Sequence, residues 1–99
     1  MWTDGGNDLQ EISVVFEENA NRSAAYDGEK HIGECEFTVS SGTWTITHTG
    51  VRPEYGGRGI ARRLVERVID EARARRVKIV PVCSYAVRVM ESGEYGDVL

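Results

Sequence analysis

The 99 residues of the chain are enough for one small domain and leave no room for a second lobe or a separate cofactor domain. With 40% hydrophobic and 28% charged residues, the composition excludes collagen-like, low-complexity and wholly disordered proteins. The net charge is −4, yet residues 51–99 carry ten basic against seven acidic side chains, an excess that favours a small anionic ligand over nucleic acid.

The first ten residues are polar and contain a Gly-Gly pair, which predicts a disordered N-terminus at 1–10 ahead of a single domain at 11–99. The start lacks the basic region and apolar run of a signal peptide, and no stretch reaches the ~18 apolar residues of a membrane span. We therefore expect a cytoplasmic protein with no membrane partner. Its two cysteines, Cys35 and Cys83, are expected to be reduced thiols, with a disulfide as the alternative.

Four short segments rich in β-branched and aromatic residues predict strands, at residues 12–17, 22–26, 31–39 and 44–51. The third segment alternates between apolar and charged residues, as expected of an antiparallel strand with one buried face. This alternation places Cys35, Phe37 and Val39 on the buried face, and we interpret Cys35 as a core residue.

A long helix is predicted from about residue 59 to residue 76, after a glycine-rich loop. Apolar side chains recur there at spacings of three and four, and the remaining positions are nearly all charged. Its arginines either contact an anionic ligand or pair with neighbouring acids on a solvated face, and the charge pattern alone leaves both open.

Residues 77–82 are β-branched and apolar at nearly every position, which predicts a strand covered on both faces. Pro81 cannot donate a hydrogen bond, so pairing must open near the end of this strand. A short helix at 84–91 follows, with Ser84 as its predicted N-cap. Its inward-facing residues are predicted to be Val87 and Met90.

These elements predict an α/β (α+β) fold: a mixed, mostly antiparallel sheet with one βαβ unit at residues 44–82 and a short C-terminal helix. The two strands of the βαβ unit must be parallel. The glycine loop after the first strand and Cys83 after the second therefore lie at the same edge of the sheet, where α/β units bind ligands.

The glycine loop reads Gly-Gly-Arg-Gly-Ile-Ala at residues 56–61. Glycines at a helix start let backbone N–H groups approach a phosphate, although a tight turn that needs positive φ would use the same residues. A Walker loop is excluded because no Gly-Lys-Ser/Thr occurs. A dinucleotide fingerprint is excluded because its third glycine would fall at Arg62.

Three motifs follow one another in this half of the chain: His-Thr at 48–49, the glycine loop at 56–61, and Pro-x-Cys-x-aromatic at 81–85. At this spacing the chain resembles the short, single-domain subfamily of the GCN5-related N-acetyltransferases over about residues 12–99. Gly56 stands where the family signature has Arg or Gln, and Gly50 stands where relatives often carry a larger residue. Because position 56 serves through its backbone in the family, pyrophosphate binding is expected to persist.

The resemblance implies the N-acetyltransferase fold, acetyl-CoA (coenzyme A) as cofactor, and an amine acceptor that is either a small molecule or a protein lysine. It implies that pantetheine pairs, like an extra strand, with the two parallel strands that Pro81 keeps apart. The residues implied in cofactor binding are Val51, Gly56, Gly57, Arg58, Gly59, Ile60, Ala61, Arg62, Arg63 and Cys83. The residues implied in catalysis are Cys83, His48 and Tyr85.

Each catalytic candidate has a structural alternative. Cys83 is either a small buried side chain or a nucleophile at a helix start, where the helix dipole favours the thiolate. His48, which strict alternation places on one face with Trp44 and Ile46, is either a packing residue or a base for the amine or Cys83. Tyr85 either packs its ring or donates a proton to the leaving thiolate. No metal site is expected, since the His and Cys residues lack ligand spacing.

Two other classes of function compete with acetyl transfer. An acyl-CoA-binding module without efficient catalysis is one, because a chain of 99 residues has few residues left to build an acceptor pocket. A partner-binding structural domain is the other. The sequence identifies neither the acceptor nor the oligomeric state.

Overall fold

The computed structural model describes residues 12–99, which form a five-stranded mixed sheet packed against two helices. The segment predicted to be disordered, 1–10, lies outside the described residues. The strands, which neighbour one another in chain order, are β1 (Ile12–Glu17), β2 (Arg22–Asp27), β3 (Lys30–Ser40), β4 (Thr43–Val51) and β5 (Lys78–Pro81). The helices are α1 (Ile60–Arg75) and α2 (Ser84–Glu91).

The sheet confirms the predicted fold class. Strands β1 to β4 pair antiparallel with their neighbours, and β4 pairs parallel with β5. Helix α1 connects the two parallel strands, so β4, α1 and β5 are the predicted βαβ unit. Within the described part of the chain, no helix is long and apolar enough to cross a membrane.

Helix α1 supplies the largest share of the core because its apolar residues recur on one face. Its buried side chains are Ile60, Leu64, Val65, Val68, Ile69 and Ala72. The opposite face confirms the helix-face alternative for several arginines: ion pairs join Arg62 to Glu66, and join Arg67 and Arg75 to Glu71. Each of these exposed ion pairs contributes little to stability, but together they pair the guanidinium groups of this face with carboxylates of the same helix.

A β-bulge in β4 corrects the predicted orientation of His48. The register pairs Glu36 with His48 but Phe37 with Ile46, so β4 carries one extra residue, Thr47. Because side chains alternate along a strand, the extra residue moves His48 to the face opposite Ile46. The prediction that His48 shares a face with Trp44 and Ile46 is therefore wrong.

Three further expectations about faces and caps are wrong. Val39 is 54% exposed, although its register partner Trp44 is buried. Strand β5 is buried on one face only, with Ile79 inside and Val80 outside. In α2 the N-cap is Cys83 instead of Ser84. The buried residues of α2 are Ala86, Val89 and Met90, whereas Val87 is half-buried.

The parallel strands separate toward the glycine loop, as predicted from Pro81. In the described residues β5 pairs with β4 only from Thr43 to Ile46, whose partner is Pro81. The backbone N–H groups of Val82 and Cys83 then both donate to the Ile46 carbonyl, at 2.9 and 3.1 Å. Beyond this point β4 continues to Val51 with β3 as its only sheet neighbour, so its β5-facing backbone is free to pair with a ligand.

Candidate active site

A cavity of about 270 Å³ lies between the end of β4, the glycine loop and the start of α2. Its lining residues are Val51, Tyr55, Gly56, Gly57, Gly59, Ile60, Ala61 and Tyr85. The cavity therefore contains six of the residues predicted to bind the cofactor, together with Tyr85. Tyr85 is half-buried and packs against the core, with its ring beside the cavity.

The glycine loop presents free hydrogen-bond donors. Gly57 and Gly59 have φ of 75° and 76°, a conformation that glycine adopts without steric cost. Among the described residues, no backbone acceptor is paired with the N–H groups at 57–62, and the first bonded amide of α1 is that of Arg63. Free amides at a helix start combine with the helix dipole to attract an anion.

The arginines predicted to contact phosphate differ in their surroundings. The guanidinium of Arg58 lies 5.2 Å from the centre of the Tyr55 ring, beside the cavity. Arg62 instead donates to Glu66, and Arg63 donates to the Ile12 carbonyl at 3.2 Å. The guanidinium of Arg58 therefore lies over a ring that lines the cavity, whereas Arg62 and Arg63 have hydrogen-bond partners within the protein.

Cys83 lies at the N-terminus of α2 and caps it. Its Sγ accepts a hydrogen bond from the Ala86 N–H at 3.3 Å. The Thr49 hydroxyl lies 3.4 Å from the same sulfur. It also donates to Cys35 Sγ at 3.5 Å. Cys35 is fully buried, as predicted, and burial raises the pKa of its thiol to about 12.

His48 lies on the outer face of β4, opposite the face against which α1 packs. Its Nε2 is 2.8 Å from Oε2 of Glu34, and because a carboxylate only accepts, Nε2 carries the hydrogen. The structure brings Cys83 and Thr49 together, but within residues 12–99 no hydrogen bond joins His48 to Cys83.

Sequence analysis missed two residues of the site. Thr49 could have been predicted as a site residue, because it is the second residue of the His-Thr motif. Glu34 could not have been predicted, because it lies 14 residues from His48 in sequence and contacts it only because of the bulge at Thr47.

A second cavity, of about 350 Å³, opens on the outer face of β3 and β4. It is lined by His31, Ile32, Gly33, Glu34, His48, Gly50, Val51 and Arg52. Val51 lines both cavities, so both lie next to the end of β4. Among the described residues, no group of three or more His, Cys, Asp or Glu side chains is arranged to hold a metal ion.

Separated parallel strands, free loop amides and a cysteine cap lie together at one sheet edge, and a known family matches most of the chain. The sequence model of the GCN5-related N-acetyl-transferase matches residues 22–98. The chain belongs to the GCN5-related N-acetyltransferase family. It is accordingly an acyl-CoA-dependent N-acetyltransferase, and its short single domain and mixed sheet are those predicted.

Solved structures of the family share this fold. The NMR solution structure of a GCN5-like protein from Staphylococcus aureus is 31% identical and matches with a TM-score of 0.69, over 89% of this chain and 87% of that one. The ribosomal-protein-S18-alanine N-acetyltransferase from Escherichia coli is 20% identical, with a TM-score of 0.62 over 87% of this chain and 65% of that one. No protein with a curated description matches the sequence.

A third structure shows how much shorter this chain is than some members of its family. The GCN5-related N-acetyltransferase from Sphaerobacter thermophilus is 25% identical, with a TM-score of 0.61. The match covers 74% of this chain but only 26% of that one. This chain thus spans about a quarter of the length of that protein.

Proposed function

We propose that this chain transfers an acetyl group from acetyl-CoA to an amine at the separated ends of β4 and β5. The observation that carries the proposal is the row of free N–H groups at 57–62, which opens on the same cavity as Tyr85. That row suits a pyrophosphate, and the unpaired edge of β4 suits the amides of pantetheine. Acetyl-CoA supplies the acetyl group as a thioester, from which an amine or a thiolate takes it.

Backbone N–H groups would make most of the contacts with the cofactor. In the proposal, the amides of Gly57, Arg58, Gly59, Ile60 and Ala61 bind the pyrophosphate, and Gly56 leaves room for it. Val51 would contact the pantetheine where β4 leaves β5. Arg58, whose guanidinium lies over the ring of Tyr55 beside the cavity, would supply a cation for the phosphates. A larger role for Arg62 or Arg63 requires each to give up its present partner.

Cys83 is proposed as the residue that receives the acetyl group. The Ala86 N–H donates a hydrogen bond to its sulfur, and the Thr49 hydroxyl lies 3.4 Å from the same atom, so two polar groups orient the side chain. In this route the thiolate forms a new C–S bond, and the C–S bond to coenzyme A breaks and leaves a thiolate. The amine then takes the acetyl group, loses one proton and regenerates the Cys83 thiolate.

The amine reaches the transfer step as a free base, and the proton it loses must be accepted. His48 is the proposed acceptor, because its Nε2–H is held by Glu34 and its Nδ1 keeps a free lone pair. Tyr85 is proposed as the donor to the departing thiolate, since it lines the cofactor cavity.

One observation favours the alternative of an acyl-CoA-binding module without efficient catalysis. His48 and Thr49 point to opposite faces of β4, so the proposed base and Cys83 lie on different sides of the strand. Catalysis through both residues requires the amine to reach the acetyl group past the end of β4.

The proposal is tested by intact-mass analysis and by the release of coenzyme A thiol after mixing with acetyl-CoA. We expect one acetyl group on the wild-type protein and on Cys35→Ser, and none on Cys83→Ala. If the acetylated form is absent while thiol release with an added amine persists in Cys83→Ala, transfer is direct. If neither signal occurs although CoA binds, the chain is a binding module, and the proposal of catalysis is wrong.

A further inference from the structure

We propose that the tight turn between β2 and β3 is a positioning element of the cofactor site, in which Asp27 acts through Tyr55 on the amides of the glycine loop. The inference rests on the proposed function and adds a residue that acts without touching the cofactor. Asp27 and Tyr55 lie 28 residues apart, and the Tyr55 hydroxyl donates a hydrogen bond of 2.5 Å to Asp27 Oδ2. Tyr55 itself lines the cofactor cavity and directly precedes the glycine loop.

The turn gives Asp27 a defined position. Asp27 pairs in register with Lys30, so only Gly28 and Glu29 lie in the turn, and Gly28 has a φ of 63°. A two-residue turn with glycine at its first position matches the twist of the two strands that it joins. Asp27 is also the last residue of β2, with β1 paired on one side and β3 on the other. A side chain on such a regular element can hold another residue in place.

The segment that leads into the glycine loop is attached to this hairpin at both ends. At its start, the Arg52 N–H donates to the carbonyl of Ile32 in β3 at 2.8 Å. At its end, Tyr55 is bonded to Asp27. Between the two attachments lies a single 3-10 turn, Pro53–Tyr55. The chain is therefore fixed at two points just before the free amides at 57–62 begin.

The ring of Tyr55 connects the turn to the loop. Lys30 Nζ of the turn lies 5.6 Å from the ring centre, and the Arg58 guanidinium of the loop lies 5.2 Å from it. Both distances are within the range of cation–π contacts. The backbone N–H of Arg58 is one of the free donors in the described part of the chain. Amides that are already in place bind a ligand without the entropic cost of ordering the loop.

Charge alone predicts the opposite effect for Asp27. A carboxylate close to an anion site repels a pyrophosphate, so its removal would strengthen CoA binding if it acted only through its charge. The other charges of the turn do not alter this, because Lys30 Nζ lies 3.8 Å from Glu54 Oε2 and the two form an ion pair. The hydrogen bond predicts weaker binding on removal of Asp27, because the Tyr55 ring would no longer be held against the turn. The sign of the change in CoA affinity therefore distinguishes positioning from simple electrostatics.

The experiment measures the CoA affinity of the wild type, Asp27→Ala, Asp27→Asn and Tyr55→Phe by isothermal titration calorimetry. We expect Asp27→Ala and Tyr55→Phe each to weaken binding about fivefold, since each removes the same hydrogen bond. Asp27→Asn keeps an oxygen that accepts from the hydroxyl and should lose less than about twofold. The double variant Asp27→Ala/Tyr55→Phe should bind CoA no more weakly than either single variant.

Glu29→Ala is the matched control, because it removes the same charge from an exposed position of the same turn. We expect its CoA affinity to equal that of the wild type or to rise slightly. Pantetheine, which carries no phosphate, is the matched ligand, and its binding is followed through the amide signals of β4 in the ¹⁵N-labelled protein. Wild type and Asp27→Ala should bind pantetheine equally, because this ligand does not use the amides at 57–62.

Unchanged or tighter CoA binding in either Asp27→Ala or Tyr55→Phe overturns the inference, as does an equal loss of pantetheine affinity. Because Tyr55→Phe keeps the ring, it tests the same hydrogen bond even if Asp27→Ala does not fold. Failure of the proposed function is read from the wild type alone: no CoA binding at millimolar concentration removes the cofactor site and this inference with it. If the wild type binds CoA and the variants bind it equally well, only the positioning role is wrong.

Discussion

Thr47 shows how one residue decides the chemistry available at the end of β4. Without the bulge, His48 would point into the core with Ile46, and Oε2 of Glu34 would lose its hydrogen-bond partner. With the bulge, Thr49 points inward to Cys83, and His48 points outward to Glu34. The bulge therefore places Thr49, which contacts the Cys83 thiol, and the imidazole of His48 on opposite faces of β4.

The two cysteines are expected to differ sharply in reactivity toward iodoacetamide at pH 8. Burial raises the pKa of Cys35 to about 12, so almost none of it is thiolate at this pH, and its sulfur is closed to solvent. Cys83 is half-buried and should be alkylated first. Mass spectrometry over time measures this, with Cys83→Ala as the control.

In Cys83→Ala we expect alkylation only at the rate of global unfolding, and therefore an increase on addition of urea. Rapid modification of Cys35 in the folded variant would contradict the buried position of this thiol.

At the scale of elements, the β1–β2 hairpin is held at its turn by a carboxylate. Glu17 accepts hydrogen bonds from the Tyr26 hydroxyl and from Arg22, and these contacts lower its pKa from the ordinary 4.5. Because the folded-state pKa is the lower one, the stabilisation is fully present above about pH 4.5 and is lost as the pH falls through the folded-state value.

Glu17→Gln should therefore lower the free energy of unfolding by about 1 kcal/mol at pH 7. The difference from the wild type should shrink toward zero below the folded-state pKa, where Glu17 is protonated in both states. Urea unfolding of both proteins at pH 7 and at lower pH values measures this difference in the free energy of unfolding. A difference that stays constant across these pH values would show that the charge of Glu17 does not contribute.

The elements that could be predicted are those whose periodicity is undisturbed. Helix α1 and strands β1 to β4 were located from apolar spacing, since each buries one continuous face. The bulge at Thr47 was not predicted, because an inserted residue leaves no mark in the alternation of Thr and Ile along β4. The exposure of Val80 was missed as well, because an apolar run cannot distinguish an edge strand from a central one.

At the scale of the whole molecule, a short chain places two cavities on either side of one strand end. The glycine loop and the cysteine motif could be predicted, because both are local in the sequence. The outer cavity could not, since it combines side chains of β3 with side chains of β4 that only the sheet brings together. The outer face of the sheet forms the wall of this cavity.

The central claim is that the free amides of the glycine loop bind coenzyme A. Ala61→Glu places a carboxylate in the cofactor cavity, where it would repel a pyrophosphate. The same charge near the N-terminus of α1 is favourable for the helix dipole, so the variant should remain folded. Ala74→Glu makes the identical substitution at an exposed position near the other end of α1 and serves as the control.

The measurement is urea unfolding of the wild type and both variants, with and without CoA at 100 times its dissociation constant. We predict that CoA adds about 2.7 kcal/mol to the free energy of unfolding of the wild type and of Ala74→Glu. For Ala61→Glu we predict no increase at the same CoA concentration. An unchanged free energy of unfolding in the wild type at millimolar CoA, or an equal increase in Ala61→Glu, would contradict the account.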